Sequence, residues 1–285
     1  MSSGRFAASS GASRALGGAE AAGEGFVGSR AFEILSRAGF VARGLVWGII
    51  GVLALKLALG EGGKLTNQQG ALHTVARQPF GKVLLTLVAI GLGGYALWRL
   101  FRAALGHGPE ETDSGFDRLA AAASGIAYAI ICTLAVEILL GAGGGSNTGN
   151  AKKEAGGVLG WPGGQWLVGA AGAIMIGVAL YQGYRGLTKK FLDDSKVEEM
   201  GPSLRRWIAA IGTVGHLART VVFALVGVFL IKAAVDYNPQ AAVGLDGALA
   251  KLLHHQYGPW LLGVVSAGLI AFALYSLSDA RYRRI

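Results

Sequence analysis

The sequence predicts an all-α polytopic membrane protein: six transmembrane helices, built as three tandem two-helix repeats in a pseudo-three-fold arrangement, with short interfacial helices on the outer face. Three observations carry that prediction. Hydrophobic residues make up 52% of the 285 and charged residues only 15%, with a mean hydropathy of +0.47. The apolar residues fall in runs of about twenty, enough to cross a ~30 Å hydrocarbon layer; one of them, Val83 to Trp98, holds sixteen consecutive uncharged residues between Lys82 and Arg99. That run then recurs. Counted from Gly81, Gly164 and Gly258, the same position closes the tripeptides Ala96-Leu97-Trp98, Ala179-Leu180-Tyr181 and Ala273-Leu274-Tyr275, which is an internal repeat.

Composition also excludes. A net charge of +9 would suit a nucleic-acid binder, but the basic residues sit at the ends of apolar runs, with no basic face on a soluble domain. No nucleic-acid partner is expected. The single cysteine, Cys132, lies inside an apolar run and can build neither a disulfide framework nor a cysteine metal site.

Residues 1–31 are rich in Ala, Gly and Ser, lack an apolar core, and read as a disordered tail, with no cleavable signal. Repeat 1 covers 32–106. Its first span runs from about Phe32 to Leu59 and carries a GxxxG step at Gly44 and Gly48, which favours close helix contact. Gln69 to Pro79 is too short to span and has Leu72, Val75 and Ala76 at helical spacing, so it is placed at the membrane face. The Gly81 run is the second span. Repeat 2 covers 115–190: a third span from about Leu119 to Leu140, a Gly-rich connection expected to be mobile and without an interfacial helix, and a fourth span from about Gln165 to Tyr184. Repeat 3 covers 205–285, with a fifth span over about Trp207–Ala234, a second interfacial helix ending at Gly258, and a sixth span over Gly258–Ser278.

The odd-numbered spans repeat as well. Aligning Gly39 with Gly215 superposes Ala42-Arg43 on Ala218-Arg219, Gly51 on Gly227 and Lys56 on Lys232. With Gly125 as third partner, Ala129 replaces the arginine and Glu137 a glycine. The middle copy is the divergent one.

The even spans carry a small-residue stripe: Gly169, Ala173 and Gly177 in the fourth, Gly263, Ala267 and Ala271 in the sixth, and Thr86, Ile90 and Gly94 in the second. Such stripes let helices approach closely in lipid, and the simplest expectation puts these faces together around the repeat axis. Whether that axis is a seam or a pore then becomes the functional question, with bulky Ile90 favouring a seam.

Charges inside an apolar layer are the default functional candidates. Arg43 and Arg219 either line an anion path or serve the structure by snorkelling and interhelical bonding; Lys56 and Lys232 lie near helix ends, where snorkelling is easier. Glu137 either pairs with Lys56 or Lys232 or binds a proton or cation. The structural alternative is the expectation for all five. No histidine pair has metal-ligand spacing, no nucleophile elbow or P-loop is present, and no enzyme activity, cofactor or metal is expected. Trp98, Tyr181 and Tyr275 at one end and Trp161, Trp166, Tyr257 and Trp260 at the other read as interface belts.

Ser36-Arg37-Ala38-Gly39-Phe40-Val41-Ala42-Arg43-Gly44, Gln69-Gly70-Ala71-Leu72, Gln78-Pro79-Phe80-Gly81 and Gly94-Tyr95-Ala96-Leu97-Trp98-Arg99 resemble the bacterial membrane family catalogued as domain of unknown function 1206. The resemblance implies three tandem two-helix units over residues 32 to 284 and a bacterial inner-membrane location, and it implies no activity, substrate or site. The expectation is therefore a scaffold or accessory subunit that meets membrane lipid and another membrane protein or a second copy of itself. The alternative is a channel or small-solute transporter along the repeat axis.

Sixteen lysines and arginines lie in the tail, the 2–3 loop, the 4–5 loop and the C-terminus, against five in the other loops. By the positive-inside rule both termini are cytoplasmic. A reporter fused after Ile285 is expected to be active only if its activity requires the cytoplasm; activity restricted to the opposite side reverses the topology.

Overall fold

The computed structural model describes residues 29–62, 65–105, 115–141 and 147–284. The tail before residue 29 and the centre of the Gly-rich connection, residues 142–146, lie outside them. Among the described residues the chain is helical, with no strand beyond one antiparallel bridge between Ser195 and Arg283. Helices α1 (Arg30–Ala58), α3 (Gly81–Leu105), α4 (Gly115–Leu139), α6 (Gly164–Thr188), α7 (Pro202–Val235) and α9 (Gly258–Tyr282) are the six spans, each long and apolar enough to cross a membrane. Short helices α2 (Gln68–Ala76), α5 (Asn147–Leu159) and α8 (Leu245–Leu253) join the members of each pair.

Helix α5 corrects the expectation of a connection without an interfacial helix. Its apolar residues recur at Ala151, Ala155, Val158 and Leu159; Ala155 packs with Ala233 and Ala242, and Leu159 with Val168 and Ala234. The glycines of this segment mask a helical period without abolishing it.

The glycine that opens each even span has one physical cause. A methyl group on Gly81 would collide with the carbonyl of Ala76, one on Gly164 with that of Val158, and one on Gly258 with that of Leu253. In each copy the short helix folds back directly onto the start of the following span, and only glycine admits the turn.

The spans pack in the order α4, α3, α1, α9, α7, α6. Placed on a circle this is the chain order itself: the first span meets the second and the sixth, and the fifth meets the fourth and the sixth. The ring lacks one contact, between the third span and the fourth, which build no comparable interface. The repeat register explains the gap. Gly91 on α3 lies so close to α1 that an added methyl would fall 2.8 Å from the Ala38 carbonyl oxygen and 3.0 Å from the Ala42 side chain. Its counterpart Gly268 on α9 touches Ala218 on α7 in the same way. In the middle copy the equivalent pair is Ile174 and Tyr128, too bulky for that approach; Ile174 is 64% exposed, while α4 turns Gly125 against Arg99 and Leu100 of α3.

The even spans do not meet at an axis, contrary to the expectation drawn from their small-residue stripe. Ala173, Gly177 and Ala267 are exposed, as are Thr86 and Ile90, while Gly94 is buried on α1 and Gly169, Gly263 and Ala271 are half-buried. Another close approach uses a different register: methyl groups on Gly172 of α6 and Gly227 of α7 would each lie 2.8 Å from the other's carbonyl oxygen. Overpacking a closed seam costs about 1–3 kcal/mol. Gly227→Leu is therefore expected to lower the thermal unfolding midpoint of the purified protein, whereas Gly177→Leu, with nothing near the added side chain, leaves it unchanged; equal effects would contradict the seam assignment.

Candidate functional site

The side chains at the centre come from the odd spans, with α9 and α3 closing around them. Trp47 of α1 meets Phe223 of α7 and Phe272 of α9 at ring-centroid distances of 6.1 and 5.8 Å. Its indole N–H donates to the Tyr128 hydroxyl of α4 at 3.3 Å. Tyr128 in turn packs edge-on to Tyr95 of α3 at 4.5 Å, and Tyr95 packs on Phe40 at 5.3 Å. Trp47, Tyr95, Phe40 and Phe272 are at most 2% exposed. The centre of the bundle is an aromatic core.

The two repeat-related arginines end in different environments. Arg43, 5% exposed, is fully bonded: Nε donates to Ser276 Oγ at 3.0 Å, Nη1 to the Tyr95 hydroxyl at 2.8 Å and Nη2 to Asp279 Oδ2 at 2.7 Å. It ties α1 to α9 and α3. Arg219 is half-buried, and its guanidinium lies over the rings of Phe272, Trp47 and Phe223 at 4.3, 4.9 and 5.0 Å. Its Nε is enclosed with no hydrogen-bond partner among the described residues. The repeat register shows why: the positions that supply Asp279, Ser276 and Tyr95 to Arg43 are, for Arg219, Arg185 and Gln182 of the second repeat and Phe272 of the third.

A second buried cluster closes the face of the bundle where the start of α1 meets the end of α9. Arg37 donates to the carbonyls of Ala280 and Arg281 at 2.7 and 2.8 Å. The loop between α6 and α7 folds under the spans and brings Asp194, 3% exposed, to Arg283 and to Arg185 Nη2 at 2.6 Å, with Arg102 at 4.0 Å. Arg283 also reaches Asp279 at 3.8 Å, which links this cluster to Arg43. From the same loop Phe191, fully buried, stacks on the His216 ring at 4.9 Å and meets Tyr275 at 5.1 Å. Farther out, Arg284 grips both Glu198 oxygens at 2.9 and 3.1 Å; bonding to its own backbone amide and to that guanidinium holds the Glu198 carboxyl below the usual carboxylate range.

The remaining predicted residues are dispersed. Lys56 and Lys232 are exposed in the last turns of α1 and α7. Glu137 is exposed on α4, and no ion pair among the described residues joins it to either lysine. The pairing expected from sequence is thus replaced by an open position: Gly51 and Gly227 fit tight seams, and the glutamate at the same register cannot. Trp98 and Tyr275 are buried rather than interfacial, at 6% and 2% exposure, while Trp161, Trp166, Tyr257 and Trp260 are exposed at the opposite end. His216 is buried, and its Nδ1 sits 2.8 Å from the Gly212 carbonyl oxygen.

Sequence reasoning missed Asp194, Asp279, Arg185 and Arg283, all of which it had placed in loops or terminal charge runs. Asp279 had a signal: it follows the sixth apolar run by one residue and stands where the other even spans carry Arg102 and Arg185.

Six spans in three pairs, a glycine-hinged short helix in each and a ring assembled in chain order define a class of multi-pass membrane proteins built by tandem repetition. The chain belongs to the family described as Domain of Unknown Function (DUF1206), whose model matches it three times, over residues 38–112, 119–189 and 214–283. It is also similar to an uncharacterized protein, YxxB, of Bacillus subtilis strain 168, with 32% identity over 252 residues covering 87% of this chain and 90% of the relative. No solved structure matches.

Removing one member of a buried ion pair costs about 3–5 kcal/mol, since the remaining charge is stranded. Asp279→Ala is expected to lower the unfolding midpoint strongly and Glu137→Gln not at all. A neutral Asp279→Ala would mean that Arg43 finds another acceptor.

Proposed function

We propose that the protein is a non-enzymatic accessory or scaffold component of the bacterial inner membrane, with both termini cytoplasmic, which engages membrane lipid and membrane partners from its sides and does not conduct along its axis. One observation carries this reading: the interior is filled. Trp47, Tyr95, Tyr128 and Phe272 occupy the centre, and Phe191 with the Asp194–Arg283 pair covers one end. A conducting path needs polar groups that face a continuous opening and can change partners. Here the buried charges Arg43, Asp279, Asp194 and Arg185 are bound to one another across four elements, which suits a rigid body.

The alternative, transport along the axis, would require Phe191 and its loop to withdraw and the Asp194 pairs to break together. Proteoliposomes that hold the purified protein are expected to leak protons, potassium and chloride at the rate of empty vesicles, and Phe191→Ala is expected to raise the leak less than a control pore does. Flux through the native protein that Phe191→Trp abolishes would establish the transport reading instead.

A further inference from the structure

The face of α4 that carries Ile126, Ile130, Thr133 and Glu137 is exposed. Its counterparts in the first copy, Phe40, Gly44, Trp47 and Gly51, are all buried. In the third copy His216 and Gly227 are buried, and Thr220 and Phe223 are half-buried. The middle repeat therefore turns outward a surface that its sister repeats turn inward, and its own two spans, the third and the fourth, leave between them the one seam of the ring that no helix closes. On α6 Ile174, at the register where the sister pairs lock, is exposed too.

The same seam leads to the unmatched arginine. Tyr128, on α4, bonds Trp47, and the Trp47 ring carries the guanidinium of Arg219. Arg219 is half-buried, with its Nε enclosed and unbonded. Its charge is not offset nearby: Asp279 and Asp194 are already engaged by Arg43, Arg283 and Arg185. Aromatic faces attract a guanidinium but leave its N–H groups without acceptors. An oxyanion supplies both charge and acceptors, and a phosphate is the shape a guanidinium fork fits best.

We propose that this seam seats one anionic phospholipid of the surrounding bilayer, its phosphate held by Arg219 and an acyl chain lying along Ile174. The occupant is a lipid because the apolar walls and the cation match the two ends of such a molecule, and the bilayer presents it at the open side. The inference rests on the reading of the chain as a lipid-embedded, non-conducting bundle, yet its test does not use flux, so either can fail alone.

The experiment places the full chain in nanodiscs of phosphatidylglycerol or of phosphatidylcholine with matched acyl chains. The unfolding midpoint and the lipid retained on release into the mass spectrometer are then compared. The wild type is expected to be more stable in phosphatidylglycerol and to retain one such lipid in preference. Arg219→Gln is expected to weaken that preference by about tenfold or more, the scale of a lost charge-assisted hydrogen bond. Should Arg219→Gln fail to fold, Ile174→Trp decides the matter, since it fills the seam with Arg219 intact and is expected to lower retention too. Equal behaviour in the two lipids, a preference untouched by both substitutions, or the same stabilisation by free inorganic phosphate in phosphatidylcholine discs would each overturn the proposal. So would disulfide capture of a second copy through Ile174→Cys, because the seam would then belong to a protein.

Discussion

Helices immersed in lipid have no hydrophobic effect to bring them together, so their contacts depend on how closely backbones can approach. That constraint decides this architecture. Gly91 on Ala38 and Ala42, Gly268 on Ala218, and Gly172 on Gly227 are places where an extra carbon would strike the neighbouring chain, and at each of them two spans lock. Where the middle repeat offers Ile174 and Tyr128 in place of glycine and alanine, the lock is missing and the ring stays open. A difference of a few methylene groups thus turns a closed three-fold array into one with a side.

Charge completes what close packing begins. Arg43 and Asp279 join the first span to the last, and Asp194 gathers Arg185 and Arg283 from the end of the fourth span and the end of the sixth. Buried pairs of this kind add little net stability compared with apolar replacements, but they punish any arrangement that leaves one member alone. They therefore specify which spans are neighbours. Arg219 is the exception: it has the arginine of the repeat without the carboxylate, and three aromatic rings in its place.

Much of this was legible in the sequence. The span count, the repeat and the divergence of the middle copy followed from apolar run length and from residues that recur in register. The direction of each helix face did not, because the packing stripe inferred from small residues competed with a second set of glycines, Gly91, Gly172 and Gly268, at another register. A stripe shows where close approach is possible; only the partner chain shows where it happens. Helix α5 was hidden because glycine content suggests a loop even where Ala155 and Leu159 keep a helical period. Glu137 drew attention as an intramembrane acid, yet the acids that matter to packing, Asp194 and Asp279, sit beside basic runs that read as loop charge. The location of Arg219 was visible, but its lack of a partner emerged only when the three copies were compared at positions belonging to the opposite helix.

The Arg43–Asp279 pair also has a history within each molecule's synthesis. The residues are separated by 236 positions, so the arginine reaches the bilayer while the carboxylate that will neutralise it has yet to be translated. Without the sixth span the bonded partners of that guanidinium are reduced to Tyr95 of the second, and the ring cannot shut. Assembly of such a long-range contact is slow compared with hairpin formation. The first span therefore completes its bonding only when the sixth is in place.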